Sequence, residues 1–232
     1  MKKYAVLLLC ISFMLTGLFM FTACQKIEPN EPTVSKTDSE ESKISKPGKT
    51  AKITFQIEDN EDNNKVQIPL FVSDEPSEAI NSLNKRLEKI VESYNAAKEN
   101  KLRWSEIISH CYESEQYLQA IVEYQELPSI ELDYNVASFN YDKHNDKALT
   151  NIDAFEIAKI TESELRLLIK KHVKEMENFT VEGFYIDTNG EVQFFVKINI
   201  AEGPDAYSRM CTVVPARNSL YQTSETGIQI FE

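Results

Sequence analysis

Glycine is scarce in this chain, with six in 232 residues. The four beyond position 50, Gly183, Gly190, Gly203 and Gly227, are too scattered to line up successive backbone N–H groups around a phosphate, and there is no G-x-S-x-G elbow. Phosphoryl transfer and that form of serine hydrolysis have no support. Histidine is scarcer still. His110, His144 and His172 stand far apart, none in an H-E-x-x-H or comparable ligand spacing, so neither a metal nor another cofactor is expected. Four cysteines exclude a disulfide-dense scaffold. Basic side chains are outnumbered, 25 against 37 acidic, and the net charge of −12 repels a phosphate backbone, which excludes nucleic acid as a partner. What is present, 42% hydrophobic and 27% charged residues, belongs to a soluble globular protein and to neither a collagen-like nor a wholly disordered chain.

The first strong feature is an export signal over residues 1–23. Lys2 and Lys3 precede an uncharged stretch from Tyr4 to Ala23 that carries Leu7, Leu8, Leu9, Ile11, Phe13, Leu15, Leu18 and Phe21. Its length also suits an uncleaved anchor helix with the two lysines at its cytoplasmic end. Phe21-Thr22-Ala23-Cys24 favours a third outcome, because it resembles the bacterial lipobox, in which small residues before a cysteine allow a diacylglycerol to be attached to the thiol before cleavage. The expectation is a lipoprotein acylated at Cys24, held on the extracytoplasmic face of the cell membrane with the bilayer as its first partner.

Residues 24–50 read as a disordered tether. Beyond Cys24 they hold no aromatic residue and only Ile27, Val34 and Ile44 as larger aliphatics, so burial cannot offset the entropy of ordering. Fully extended, the segment reaches about 90 Å. Its five lysines balance five acids, so the acidic excess falls on residues 51–232. Cys10 departs with the signal and Cys24 with the lipid, which leaves Cys111 and Cys211. A bridge between them would close a loop of roughly 100 residues and add several kcal/mol; two unpaired thiols in strands are equally ordinary.

Residues 51–232 are expected to form an α+β domain on antiparallel sheet with two main helices, with 51–100 and 101–232 as either one module or two lobes. Ile53, Phe55 and Ile57, then Val66, Ile68, Leu70 and Val72, alternate with polar residues around an acidic turn, a hairpin signature. Pro76 in a first turn opens a helix with Ile80, Leu83, Leu87, Ile90, Val91 and Tyr94 at helical spacing. Strands return from Trp104 to Glu126, turning at Glu113-Ser114-Glu115, with Leu118, Ala120, Val122 and Tyr124 on one face, and another covers 132–141 before turn chemistry at Lys143-His144-Asn145-Asp146. Thr161 with Glu164 makes a capping box, Ile160 and Leu165 a hydrophobic staple, and Leu165, Leu168, Ile169, Val173 and Met176 a buried stripe beside which His172 is structural. Phe179–Asp187 and Val192–Ile200 flank the tight turn Thr188-Asn189-Gly190, and Met210–Val214 adds a strand.

Asp59, Glu61 and Asn63 alternate like calcium ligands, but Asn64 stands where the turn glycine belongs and Leu70 where the bidentate glutamate belongs, so the loop reads as a solvated hairpin turn. An acid pair for glycosidic cleavage depends on spacing that only the fold sets.

Ser138-Phe139-Asn140-Tyr141-Asp142, the segment Leu149-Thr150-Asn151-Ile152-Asp153-Ala154-Phe155, the aromatic-rich hairpin Phe179–Ile200 and Ile200-Ala201-Glu202-Gly203-Pro204 resemble, in that order, the extracytoplasmic DUF4163/DUF3298 family, known from the lysozyme-sensing region of the anti-sigma factor RsiV and the non-catalytic region of the deacetylase PdaC. The chain departs from the family at Leu127-Pro128-Ser129-Ile130-Glu131, where many members carry a Gly-Gly-Ala-His-like turn. It has no carbohydrate-deacetylase motif. The resemblance implies a non-enzymatic recognition domain whose ligand is a cationic, lysozyme-like protein or a cell-wall polymer. The alternative from a different class is a glycan or peptidoglycan hydrolase with a dispersed acid pair.

Overall fold

The computed structural model describes residues 50–59, 65–99, 106–125, 134–200, 207–223 and 227–232, which fall in one compact unit. The signal, Cys24, the tether to residue 49, Glu61, Asn63, Asn64, Trp104, the segment 127–131 and residues 201–204 lie outside them. The fold is α+β. Six strands form a first sheet in sequence order: β1 (Ala51–Asp59), β2 (Val66–Ser73), β3 (Ile107–Glu113), β4 (Tyr117–Gln125), β5 (Tyr134–Asp142) and β6 (Lys147–Leu149). Neighbours are antiparallel except β2 and β3, which run parallel and meet at Val66 and Ile107. The first sheet therefore crosses residue 100, and the halves on either side of it belong to one module.

The alternation in β4 and β5 follows from the strand period of two. Leu118, Ala120, Val122, Phe139 and Tyr141 point to one face, where they meet Ile80, Leu83, Leu87, Ile90 and Tyr94 of α1 (Glu78–Glu99). The helix starts at Glu78, two residues later than Pro76 suggests. Ser77 caps it, its hydroxyl accepting from Ile80 N–H at 3.1 Å and donating to Asp146 in the β5–β6 turn at 2.5 Å. Asp146 takes a left-handed φ of 48° there and also accepts from Tyr141 Oη at 2.9 Å, which ties the helix start to the far end of the sheet.

A second, wholly antiparallel sheet is built from β7 (Met176–Ile186), β8 (Val192–Ile200), β9 (Tyr207–Val214) and β10 (Ser219–Gln222), in the order β10-β9-β8-β7. Its β7–β8 turn places Gly190 at φ 79°, and Asp187 Oδ1 accepts from the N–H groups of Asn189 and Glu191. One face packs on α2 (Asn151–Ala158) and α3 (Glu162–His172) through Ala154, Leu165, Ile169, Phe184, Phe194, Val196 and Ile198.

Among the described residues there are thus three α-helices where two main ones were expected. The extra one, α2, is eight residues long with Ile152 72% exposed, so its apolar face of Ala154, Phe155 and Ala158 is too short to show as a period; its signal is the capping box of Thr150 and Asp153. The stripe of α3 is shorter than its spacing suggests, because Val173 is the cap residue and Met176 already belongs to β7. The Thr161 box is in place, with Thr161 N–H donating to Glu164 Oε2 at 2.7 Å and Glu164 N–H to Thr161 Oγ1 at 3.2 Å. Thr161→Ala is expected to lower stability by about 1 kcal/mol in urea unfolding and to leave the far-UV spectrum unchanged.

Asp153 gives the fold an acid-sensitive contact. Burial alone would raise its carboxyl, but hydrogen bonds from Lys147 and from the Thr150 amide and hydroxyl outweigh it and hold the group below the ordinary aspartate value of 3.8. A carboxyl depressed in the folded state stabilises above its unfolded pKa, and that contribution is lost as pH falls through the lower folded value. Asp153→Asn is therefore expected to lower stability near neutrality and to flatten the decline below pH 3.8, read from unfolding midpoints against pH. Parallel acid limbs in the two proteins would refute the assignment.

Candidate functional site

The two sheets meet at a polar seam. The face of β4 and β5 turned away from α1 carries Gln119, Ser138 and Asn140, each 5% exposed or less, and β7, an edge strand of the second sheet, lies against it. Gln119 donates to Ile186 O and accepts from Ile186 N–H, both at 2.8 Å; Ser138 Oγ accepts from Phe184 N–H at 2.9 Å; Asn140 donates to Phe184 O at 3.0 Å. These side chains take the place of a further strand, so the backbone groups of β7 are satisfied although they are buried. The aromatic-Asn-aromatic-Asp pattern thereby acquires a physical meaning. Phe139 and Tyr141 face α1, while Ser138 and Asn140 hold the second sheet. Asp142 closes the β5–β6 turn by accepting from the N–H groups of His144 and Asn145 at 2.9 and 3.1 Å.

The buried carboxylates are engaged structurally. Glu123 lies 2.5 Å from His110 Nε2 and accepts from Ile228 N–H at 3.1 Å; Asp142 closes its turn; Asp153 caps α2; Asp187 holds the β7–β8 turn and meets Arg217 at 3.3 Å. Among the described residues no group of three or more His, Cys, Asp or Glu is arranged to hold a metal ion. Asp59, taken from the calcium-like loop, accepts from Tyr94 Oη and Lys98 Nζ, each at 3.0 Å. His144 sits exposed in its turn, and His172 Nε2 lies 3.2 Å from Asn218 O at the end of α3.

A cleft of 180 Å³ opens where the seam reaches the surface, lined by Tyr112, Glu113, Ser114, Gln119, Tyr185, Asp187 and Glu232 among others. Its floor is a tilted ring pair, Tyr112 and Tyr185, with centroids 4.6 Å apart. Burial, then the neighbouring Tyr112, Glu232 and Asp187, push the Tyr185 hydroxyl up to about 12, and burial, Glu232 and Glu123 raise that of Tyr112. Both phenols therefore stay protonated; Tyr185 is buried, and the half-buried Tyr112 ring lies beside the carboxylates. That combination suits the ammonium or guanidinium group of a ligand.

Next to the cleft, the segment Gly227–Glu232 fills a slot between the sheets. Glu123 of β4 takes Ile228 N–H, Thr212 of β9 donates to Gln229 O at 2.7 Å, and Gln193 of β8 grips Phe231 by both backbone groups, accepting from its N–H at 2.9 Å and donating to its carbonyl. Ile228 and Ile230 pack against Ile121, Val136, Tyr185, Phe195 and Met210.

The two cysteines do not come together. Cys111 stands exposed on β3 of the first sheet and Cys211 buried on β9 of the second, both as free thiols, so the open choice between a bridge and two thiols falls to the thiols. Burial pushes the Cys211 thiol up to about 11, which keeps it protonated and inert at neutral pH. Sequence reasoning named none of Gln119, Ser138, Glu123, Gln193 or Thr212 as working residues. The available signal was polar residues on the second face of strands whose first face was already apolar. No protein-family model, curated protein or solved structure matches the chain.

Proposed function

We propose that the chain is a lipoprotein tethered through acylated Cys24 on the extracytoplasmic face of the cell membrane, whose α+β unit is a DUF4163/DUF3298-like recognition domain for a cationic, lysozyme-like protein. The cleft of tyrosine rings and carboxylates at Tyr112, Glu113, Tyr185 and Glu232 is the observation that carries this reading. It offers a basic side chain the half-buried Tyr112 ring and a local negative field, and the excess of 37 acidic over 25 basic side chains steers such a partner toward the surface. The resemblance of Ser138–Asp142 and Leu149–Phe155 to segments of the family supports the same reading.

The test is titration of residues 25–232 with a lysozyme-type protein at two ionic strengths. Binding is expected to weaken as salt rises, and Tyr112→Leu or Glu113→Gln to weaken it about tenfold, the scale of one desolvated cation–ring contact. No binding, or turnover of cell-wall fragments by the purified chain, defeats the reading. In cells, Cys24→Ser is expected to abolish labelling by a fatty-acid analogue and to leave unprocessed precursor or released protein.

A further inference from the structure

We propose that the slot filled by Ile228–Phe231 is a binding site for an extended peptide strand, and that this segment is its resident, exchangeable occupant. Glu123, Gln193 and Thr212 are at most 3% exposed and sit on three different strands; Gln193 and Thr212 direct their described side-chain hydrogen bonds at the occupant's backbone, and Glu123 divides its carboxylate between His110 and Ile228 N–H. Recognition of backbone does not require a particular set of side chains; it requires an extended chain. The side-chain preferences come from the seat. Ile228 and Ile230 enter the apolar cluster at the strand period of two, and Phe231 lies on Tyr221 with centroids 4.4 Å apart while Arg217 stands 5.6 Å from its ring. The ligand class is thus an extended peptide with aliphatic residues at alternate positions followed by an aromatic one.

Two further observations make the occupant exchangeable. Apart from a single bridge at Gly227, the segment joins the ladder of neither sheet, so its departure breaks no strand pairing beyond that bridge. An empty slot would leave the buried Gln193 and Thr212 side chains without their described partners and Glu123 with His110 alone, a state that proteins avoid, so a departing segment has to be replaced by another extended backbone. Glu232 also lines the tyrosine cleft, so exchange would remodel that cleft. The inference rests on the recognition reading only for the source of such a strand.

The experiment uses residues 25–232 with a protease site written into residues 224–226, cut after folding, and a fluorescent synthetic peptide with the sequence of residues 227–232. The cut chain is expected to take up the peptide saturably, the uncut chain at least tenfold more weakly, and the cut chain carrying Gln193→Leu at least tenfold more weakly than its parent. A peptide with aspartate in place of both isoleucines is expected not to bind. The proposal is overturned if the cut chain keeps its native circular dichroism but takes up no peptide, if cutting unfolds it, or if cut and uncut chains bind alike. A dimer formed without uptake of free peptide overturns it in favour of exchange between copies. No envelope component or cationic protein enters the assay, so failure of the recognition reading and failure of this site are separately visible.

Discussion

Gln119→Leu is expected to lower the stability of the folded unit by about 4 kcal/mol, although leucine fits the site by size and apolarity. The amide of Gln119 is 2% exposed and serves both backbone groups of Ile186 at 2.8 Å. Leucine offers neither a donor nor an acceptor, so a buried N–H and a buried carbonyl on β7 lose their partners, at about 1–3 kcal/mol each. Urea unfolding measures the loss. Gln116→Leu is the control, since the half-buried Gln116 side chain meets Asp142 at 3.3 Å and serves no backbone group of the second sheet among the described residues; it is expected to change stability by about 0.5 kcal/mol or less. If both substitutions cost the same small amount, the seam does not hold the sheets together.

The second large effect belongs to Gly183, whose backbone torsions any residue could adopt but whose surroundings leave no room. A Cβ there would stand 2.6 Å from Ser138 Oγ, 2.8 Å from Ser138 Cβ and 3.0 Å from Ser138 N. Ser138 cannot swing aside without releasing Phe184 N–H, and its backbone is fixed in the middle of β5. Gly183→Ala is expected to cost about 3 kcal/mol, the upper part of the usual range for overpacking. Ser138→Gly in the same chain removes the two closest contacts, so the double variant is expected to be more stable than the two single losses added together. Strict additivity would show that the strands can move apart freely at this point.

The parts of the fold that follow from near neighbours in the chain were legible in advance. The stripe of α1, the alternation of β4, the Gly190 turn and the Thr161 capping box each depend on residues within a few positions of one another, so their pattern survives in one dimension. Elements of three, four and eight residues were not legible, because β6, β10 and α2 are too short for a period to emerge. The capping box of α2 used aspartate where the usual pattern has Glu or Gln, and its only strong sign was Thr150 three residues before Asp153. The candidate sites were the least legible. Gln193 and Phe231 are 38 positions apart, Gln119 and Ile186 67, and Glu123 and Ile228 105. A glutamine that reads another strand's backbone looks, in sequence, like any solvated glutamine.

The order of strands has a consequence for how the molecule comes into being. All six strands of the first sheet precede all four of the second along the chain, so a polypeptide made from its amino end finishes one sheet while the other is still missing. For that interval the face awaiting β7 is bare. A purely aliphatic face would be adhesive toward other nascent chains, whereas Gln119, Ser138 and Asn140 can hydrogen-bond water until β7 arrives and displaces it. The same polar residues that bind the finished halves would thus keep the unfinished one soluble, and a variant that replaces them with aliphatic residues would be at greatest risk during synthesis, before its equilibrium stability is ever tested.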